Sequence, residues 1–321
     1  MNRQTKPLKP YHGILVLILT AVCVFLIGPA LSSRMGLYGT LVSELLMLAI
    51  AVGCTFLFHG NPKYVFPVRK PTLPGLFGTF LFWMGMIGIA MAFTMVLAIF
   101  FPNEIMGTSE GLSYSFLSVP ALIAILIVSI TPAVCEEAVF RGVVFNSFWP
   151  IGNQSVVIVL TGCIFGAFHG SIWRFFPTAI LGMAMGYLLA ETGNMVYNMV
   201  FHAVNNLLPL ALMFGLQKLM DGLYQTGGSP AYGEPVYGGT TYSLMAAGVY
   251  IAALGVAVVL VYAGNFLIHM GRKGYEGKMF AGHRRRHLYI LIGTVVVCFV
   301  LGCMMVFASA AANAVGHMIY Y

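Results

Sequence analysis

The chain has 321 residues, of which 60% are hydrophobic and only 8% charged, with a formal net charge of +7. An ordinary soluble domain carries about 25% charged residues, so the polar surface here is too small to cover a water-exposed core, and a soluble class is excluded. The basic residues sit in loops between apolar runs rather than on one face. That arrangement excludes a nucleic-acid-binding surface, and no nucleic-acid partner is expected.

Apolar segments lie near residues 13–32, 36–58, 76–101, 118–148, 153–169, 175–190, 195–216, 242–270 and 288–316. A run of about 20 apolar residues crosses a hydrocarbon core about 30 Å thick. These runs do not alternate as barrel strands do, so helices are expected, since only helices and closed barrels satisfy the backbone in lipid. The predicted fold is therefore all-α: a polytopic transmembrane bundle of eight to nine spans, built as one integral membrane domain over residues 1–321. Arg3, Lys6 and Lys9 precede the first run in the manner of a signal peptide, and Ala30-Leu31-Ser32 is faintly like a cleavage site. The run from Gly13 to Leu31 is longer than the core of about 7–15 residues typical of such signals, so a retained first span is expected.

Glu44 falls inside the second segment, where a hydrogen bond to a neighbouring helix is the expected use of its carboxyl. The fourth run contains Pro132 and is predicted to kink or divide there. Residues 217–241 are rich in Gly, Tyr and Pro and read as a linker without regular structure. Residues 271–287 are strongly basic, which suits anchoring to anionic headgroups, so the bilayer itself is an expected partner. The six cysteines lie in or beside apolar runs with no CxxC spacing, so neither disulfides nor a cysteine zinc site is expected.

Lys and Arg placement gives an orientation. With the N-terminus cytoplasmic, that side holds Arg3, Lys6, Lys9, Lys63, Arg69, Lys70, Arg272, Lys273, Lys278, Arg284, Arg285 and Arg286. The other side holds Arg34 and Lys218 with Glu104, Glu110, Asp221 and Glu234. An integral, multi-pass cell-membrane protein is the expected localisation.

Ionisable groups inside a membrane cost a few kcal/mol on insertion scales and are functional candidates by default. They gather in three neighbouring segments: Glu136, Glu137 and Arg141 in TPAVCEEAVFRGVVF, His169 in CIFGAFHGS, and His202, Asn205 and Asn206 in VYNMVFHAVNNLLPL. Glu137 and Arg141 are four apart and can pair on one helical face. Glu136 points about 100° away from Glu137, which leaves it free to face a different cavity. Phe165 shares a face with His169, and His202 shares one with Asn206. With a turn near Trp149-Pro150, Glu136 lies about 18 Å before it and His169 about 22 Å after it, at similar depths. A carboxylate and an imidazole sharing a water can make it a nucleophile. An imidazole and an amide one turn apart can stabilise the oxyanion of an attacked carbonyl.

These residues resemble a known family. EExxxR (Glu136-Glu137 to Arg141), FxxxH (Phe165 to His169) and HxxxN (His202 to Asn206), in that order, are similar to the motifs of the CPBP family of CAAX proteases and bacteriocin-processing proteins, also called Abi or type II CAAX prenyl endopeptidases. ILGMAMGYLLAETGN resembles the Gly-rich helix and turn between the family's last two motifs. The resemblance covers residues 115–214, a catalytic core between an N-terminal three-helix flank at 1–101 and a C-terminal two-helix flank at 242–321.

The resemblance implies an intramembrane endopeptidase that hydrolyses membrane-associated or lipidated peptide or protein substrates. Glu136 would be the general base, working with His169 on water. His202 and Asn206 would stabilise the oxyanion, and Glu137, Arg141 and Phe165 would support them. The family has been described both with and without metal. Glu136, His169 and His202 would also serve as a His₂Glu set for a divalent ion such as Zn, so the cofactor is left open as none or a metal. The competing readings are a catalytically silent scaffold or regulator of the bacteriocin-immunity or signalling type, and a proton-coupled transporter, which internal repeats would favour and which shows none.

Overall fold

No strand occurs among the described residues, which in this computed structural model are 7–105, 116, 118–225, 239–270, 279 and 285–319. Among the described residues, nine helices are longer than ten residues: α1 (Pro10–Met35), α2 (Leu37–Leu57), α3 (Leu73–Phe100), α4 (Ala121–Ile151), α5 (Gln154–Ala167), α6 (Ile172–Thr192), α7 (Met195–Gln225), α8 (Gly239–His269) and α9 (Arg285–Ile319). All except α5 are long and apolar enough to cross a membrane, so this is an integral membrane protein with an all-α helical bundle. The first apolar run is helical to Met35, past the cleavage-like tripeptide.

Two expected loops are shorter than the sequence implied. Helix α7 continues to Gln225 and α8 begins at Gly239, so much of the 217–241 linker is helical. Residues 226–238 lie outside the described residues, as does Glu234. The basic 271–287 stretch loses its last three residues to α9, while Arg272, Lys273, Lys278 and Arg284 fall outside the described residues. Arg3, Lys6, Glu110 and His283 also lie outside them.

The fourth run stays one helix across Pro132 instead of dividing. Its backbone widens into two π-helical stretches, Leu126–Ile130 and Ala138–Val144. Pro132 sits in the α-helical turn between them and has no N–H to give to the Val128 carbonyl four residues back. Wide turns of this kind move side chains off the regular helical grid and occur often at functional sites.

By packing, the chain forms two compact units: Met1–Leu76 with Gly111–Gly215, and Phe77–Glu110 with Leu216–Tyr321. In the second, glycines bring helices to backbone contact. A Cβ on Gly78 would come within 2.8 Å of the Gly264 carbonyl, and one on Gly248 within 2.8 Å of the Gly302 carbonyl. Small residues of this kind are the usual means of helix association in lipid, where apolar side chains gain little by leaving their surroundings.

In the first unit, α1 and α2 reverse on Gly36, whose φ of 57° with ψ of −137° favours a residue without Cβ. One end of this unit is laced by polar contacts. The Arg69 N–H donates to Asn194 Oδ1 (3.1 Å), Asn194 Nδ2 donates back to the Arg69 carbonyl (3.1 Å), and the Thr72 N–H donates to Tyr197 Oη (3.0 Å). Gln154 Nε2 reaches Glu191 Oε1 (3.3 Å), which brings the start of α5 and the end of α6 to that end as well.

Helix α5 falls short of a full crossing because it has 14 residues, about 21 Å of helix. The chain then turns through Gly170, at φ 66°, and returns as α6. Phe168 in this turn packs on Phe25 of α1, with ring centroids 5.9 Å apart. Phe25 is ten residues before the end of α1, so the turn carrying His169 meets α1 about 15 Å from that end along the helix. The α5–α6 pair is tight: a Cβ on Gly162 would lie 2.7 Å from the Met183 nitrogen, and one on Gly182 3.0 Å from the Gly162 carbonyl. Gly162→Val should therefore destabilise the protein by about 1–3 kcal/mol through overpacking. Thermal unfolding in detergent measures this, and an unchanged midpoint would contradict the packing described.

Candidate active site

The site grows outward from a buried ion pair. Glu137 and Arg141 stand one turn apart on α4, 0% and 1% exposed, and Arg141 Nη1 donates to Glu137 Oε1 at 3.1 Å. A charge pair this deep persists only if its other valences are met. Arg141 Nη2 donates to the Gly182 carbonyl of α6 at 3.0 Å, and the guanidinium lies 4.3 Å from the centroid of the Phe165 ring of α5. One arginine thus fastens α4 to both arms of the α5–α6 hairpin.

Glu137 has a second partner. Its Oε1 also accepts from His202 Nδ1 of α7 at 2.9 Å. A carboxylate oxygen can only accept, so Nδ1 must carry the hydrogen, and this fixes which nitrogen of His202 is available for other work. That nitrogen, Nε2, lies 3.9 Å from Glu136 Oε2. The separation is too long for a direct hydrogen bond and short enough for one water molecule to touch both groups.

Glu136, free by its direction to face a different cavity, instead approaches the same imidazole as Glu137. Side chains 100° apart on a helix can straddle a ring inserted between them from a facing helix. His202 is such a ring, met by Glu137 at one nitrogen and approached by Glu136 at the other. Glu137 is also more than a partner for Arg141, because it orients the imidazole.

Phe165 is 3% exposed and stands edge-on to both imidazoles, with centroids 5.0 Å from His169 and 5.8 Å from His202. His169 Nδ1 donates to the Phe165 carbonyl at 3.0 Å, which leaves Nε2 as its available nitrogen. Asn206 donates from Nδ2 to the Val128 carbonyl in the first π-helical stretch of α4 (3.1 Å), and its Oδ1 accepts from Asn205 (3.2 Å). Its second amide hydrogen is not used by these bonds. Close by, Ser129 Oγ donates to the Ala203 carbonyl at 2.7 Å, so α7 is pinned to the widened part of α4 on both sides of its polar face.

One carboxyl group joins the site from outside the motifs. Glu44 of α2, 7% exposed, lies on a helix that packs against α4, and its carboxyl and that of Glu136 act on one another. Spacing gave no warning of this, because the two residues are 92 positions apart. The only available signal was a glutamate in an apolar span.

Among the described residues, no three His, Cys, Asp or Glu side chains gather closely enough to hold a metal ion. The set Glu136, His169 and His202 is not assembled as ligands, and His202 Nδ1 is committed to Glu137. All six cysteines are free thiols.

Residues 118–208 match the family model described as type II CAAX prenyl endopeptidase, Rce1-like. This is the family that the three motifs resemble, and the matched stretch contains all seven residues singled out by those motifs. No curated protein and no solved structure matches the chain.

Proposed function

Starting from an Rce1-like stretch at residues 118–208, we propose that this membrane protein is an intramembrane endopeptidase acting on membrane-associated peptides, with a prenylated C-terminal segment as the first substrate class to try. The observation that carries the reading is His202, held at Nδ1 by Glu137 while Nε2 faces Glu136 across 3.9 Å. A half-buried carboxylate and an oriented imidazole at that separation have little structural use unless something is bound between them.

In this reading Glu136 takes a proton from a water molecule as its oxygen attacks the scissile carbonyl carbon. His169, whose Nε2 is free, helps to hold that water. The negative oxygen that forms is met by the second Nδ2 hydrogen of Asn206 and by His202. His202 donates from Nε2 only as imidazolium, and in that form its charge lies between Glu137 and Glu136. Glu136 then returns the proton to the leaving amine as the C–N bond breaks, giving a carboxylic acid and an amine. That the turn carrying His169 meets α1 well before that helix ends supports access to this chemistry from the bilayer.

The test uses the full chain in detergent or in vesicles, with a peptide ending in an S-prenylated cysteine and three further residues. Release of the last three residues, seen by mass spectrometry, is the expected result. Failure to cleave either that peptide or unprenylated membrane peptides would overturn the reading.

The end of the first unit laced through Arg69 and Asn194 is proposed as cytoplasmic, since it carries Lys63, Arg69 and Lys70. A cysteine placed at exposed position 63 should react with a membrane-impermeant maleimide only when the cytoplasmic face is open. Reaction from the outside of intact cells would reverse the orientation.

A further inference from the structure

At the laced end of the first unit, Lys63 and Arg69 line one cavity of about 220 Å³ together with Tyr64, Phe145, Asn146 and Trp149. The end of α6 completes its wall, and among the described residues no carboxylate lines it. Glu191, the nearest acid along α6, stands outside the wall and accepts from Gln154 (3.3 Å).

The two cations are fixed in place through their backbones. Asn194 takes both the N–H and the carbonyl of Arg69 at 3.1 Å, and Asn61 Oδ1 accepts from the Lys63 N–H at 3.0 Å. Between them, the Pro67 carbonyl accepts from the Met195 N–H at 2.9 Å. Asn146 Nδ2 donates to the Gly142 carbonyl (2.8 Å) and reaches the Val65 carbonyl (3.3 Å), which ties the same segment to α4. The side chains are left over. Among the described residues, the Lys63 ammonium, the Arg69 guanidinium, the Tyr64 hydroxyl and the Trp149 indole N–H have no hydrogen-bond or ion-pair partner. One exposed cation needs nothing but water. Four unpaired donors around a single cavity without an acid suit an anion.

The cavity also lies where the spans end. Helix α4 closes at Ile151 and α6 at Thr192, while Lys63 and Arg69 stand between the end of α2 and the start of α3. Trp and Tyr at such ends sit at the level of the lipid headgroups. Basic pockets between spans at that level take anionic headgroups. Size narrows the occupant further. Pockets for drug-sized ligands begin near about 300 Å³, so this one is too small for a peptide segment and suits a phosphate with part of its ester.

We propose that this cavity binds the headgroup phosphate of one anionic phospholipid, with Lys63 and Arg69 paired to the phosphate and the acyl chains left in the bilayer. A zwitterionic lipid carries its own ammonium beside the phosphate and gains less from the two cations. The site shares no residue with the hydrolytic chemistry, and Asn146 lies on the order of 15 Å beyond Glu136 along α4. It holds whether or not the protein cleaves peptides, and whichever face of the membrane this end occupies.

The test is native mass spectrometry of the full chain in detergent, titrated with phosphatidylglycerol or with phosphatidylcholine. A single phosphatidylglycerol adduct is expected at concentrations where phosphatidylcholine gives much less. Lys63→Gln with Arg69→Gln should weaken that adduct by about 30-fold, at roughly fivefold per cation. The fold should persist, since only backbone atoms of these two residues hold it, and gel filtration checks this. Lys63→Gln alone should lose about fivefold, and it decides the matter if the double variant is unstable. Arg34→Gln with Lys218→Gln removes the same charge elsewhere and should leave the adduct unchanged. Equal adducts of the two lipids, or equal losses in the two double variants, would reduce the binding to general attraction and overturn the proposal. Displacement of the lipid by millimolar inorganic phosphate would assign the cavity to a soluble anion and overturn it as well.

Discussion

Glu136→Gln is expected to lower peptide cleavage by about 10²–10⁴-fold while leaving the protein folded and inserted. The amide has the shape of the carboxylate but cannot take a proton from water. Little else should change, because Glu136 lies outside the network that binds α4 to the hairpin. Arg141 is held by Glu137, by the Gly182 carbonyl and by the Phe165 ring, and none of these contacts passes through Glu136. Gel filtration and thermal unfolding in detergent should therefore match the wild type, with only turnover lost. Cleavage of the prenylated peptide at the wild-type rate in this variant would remove Glu136 from the mechanism and leave the scaffold reading as the better one.

Much of the fold was legible because lipid imposes a strong rule on sequence. Runs such as 36–58 and 242–270 had to be helical once their length and lack of alternation were noted. Errors came where polar and apolar character change gradually. Helix α7 continues through Gln217, Lys218 and Asp221 to Gln225, since charged residues at a helix end can stay helical outside the hydrocarbon. The 153–169 run looked like a span by composition. Its shortness depends on Gly170 turning the chain where Phe168 meets Phe25, a contact between residues 143 positions apart.

The candidate site was legible in its components and not in its wiring. Three motifs named Glu136, Glu137, Arg141, Phe165, His169, His202 and Asn206, and helical spacing gave the Glu137–Arg141 pair correctly. Spacing within a segment cannot say which nitrogen of His202 meets which carboxylate, because that depends on how α7 packs on α4. The wide turns of α4 compound the difficulty, since a 3.6-residue period no longer describes the chain through Ala138–Val144. Glu44 was visible as an anomaly but had no motif to attach it to.

The largest effect on stability is expected at the buried pair. Arg141→Met leaves Glu137 as a buried charge whose remaining partner is His202, and Glu137→Gln leaves Arg141 without its carboxylate. Each should cost about 3–5 kcal/mol, enough to deplete folded protein in detergent. The double variant Glu137→Gln with Arg141→Met should melt well above either single one. It buries no unmatched charge, and the Met side chain can occupy the space over the Phe165 ring. Activity should not follow stability back. With Gln at 137, the Nδ1 hydrogen of His202 still meets an oxygen, but the negative charge that steadies an imidazolium is gone, and turnover should stay on the order of 10²–10⁴-fold below wild type. A double-mutant cycle on melting and on kcat measures both quantities. If the two losses in stability simply add, Glu137 and Arg141 are not energetically coupled and the buried pair does not hold α4 to the hairpin. If activity recovers along with stability, Glu137 serves the fold alone, and the orientation of His202 through Nδ1 has no part in the chemistry.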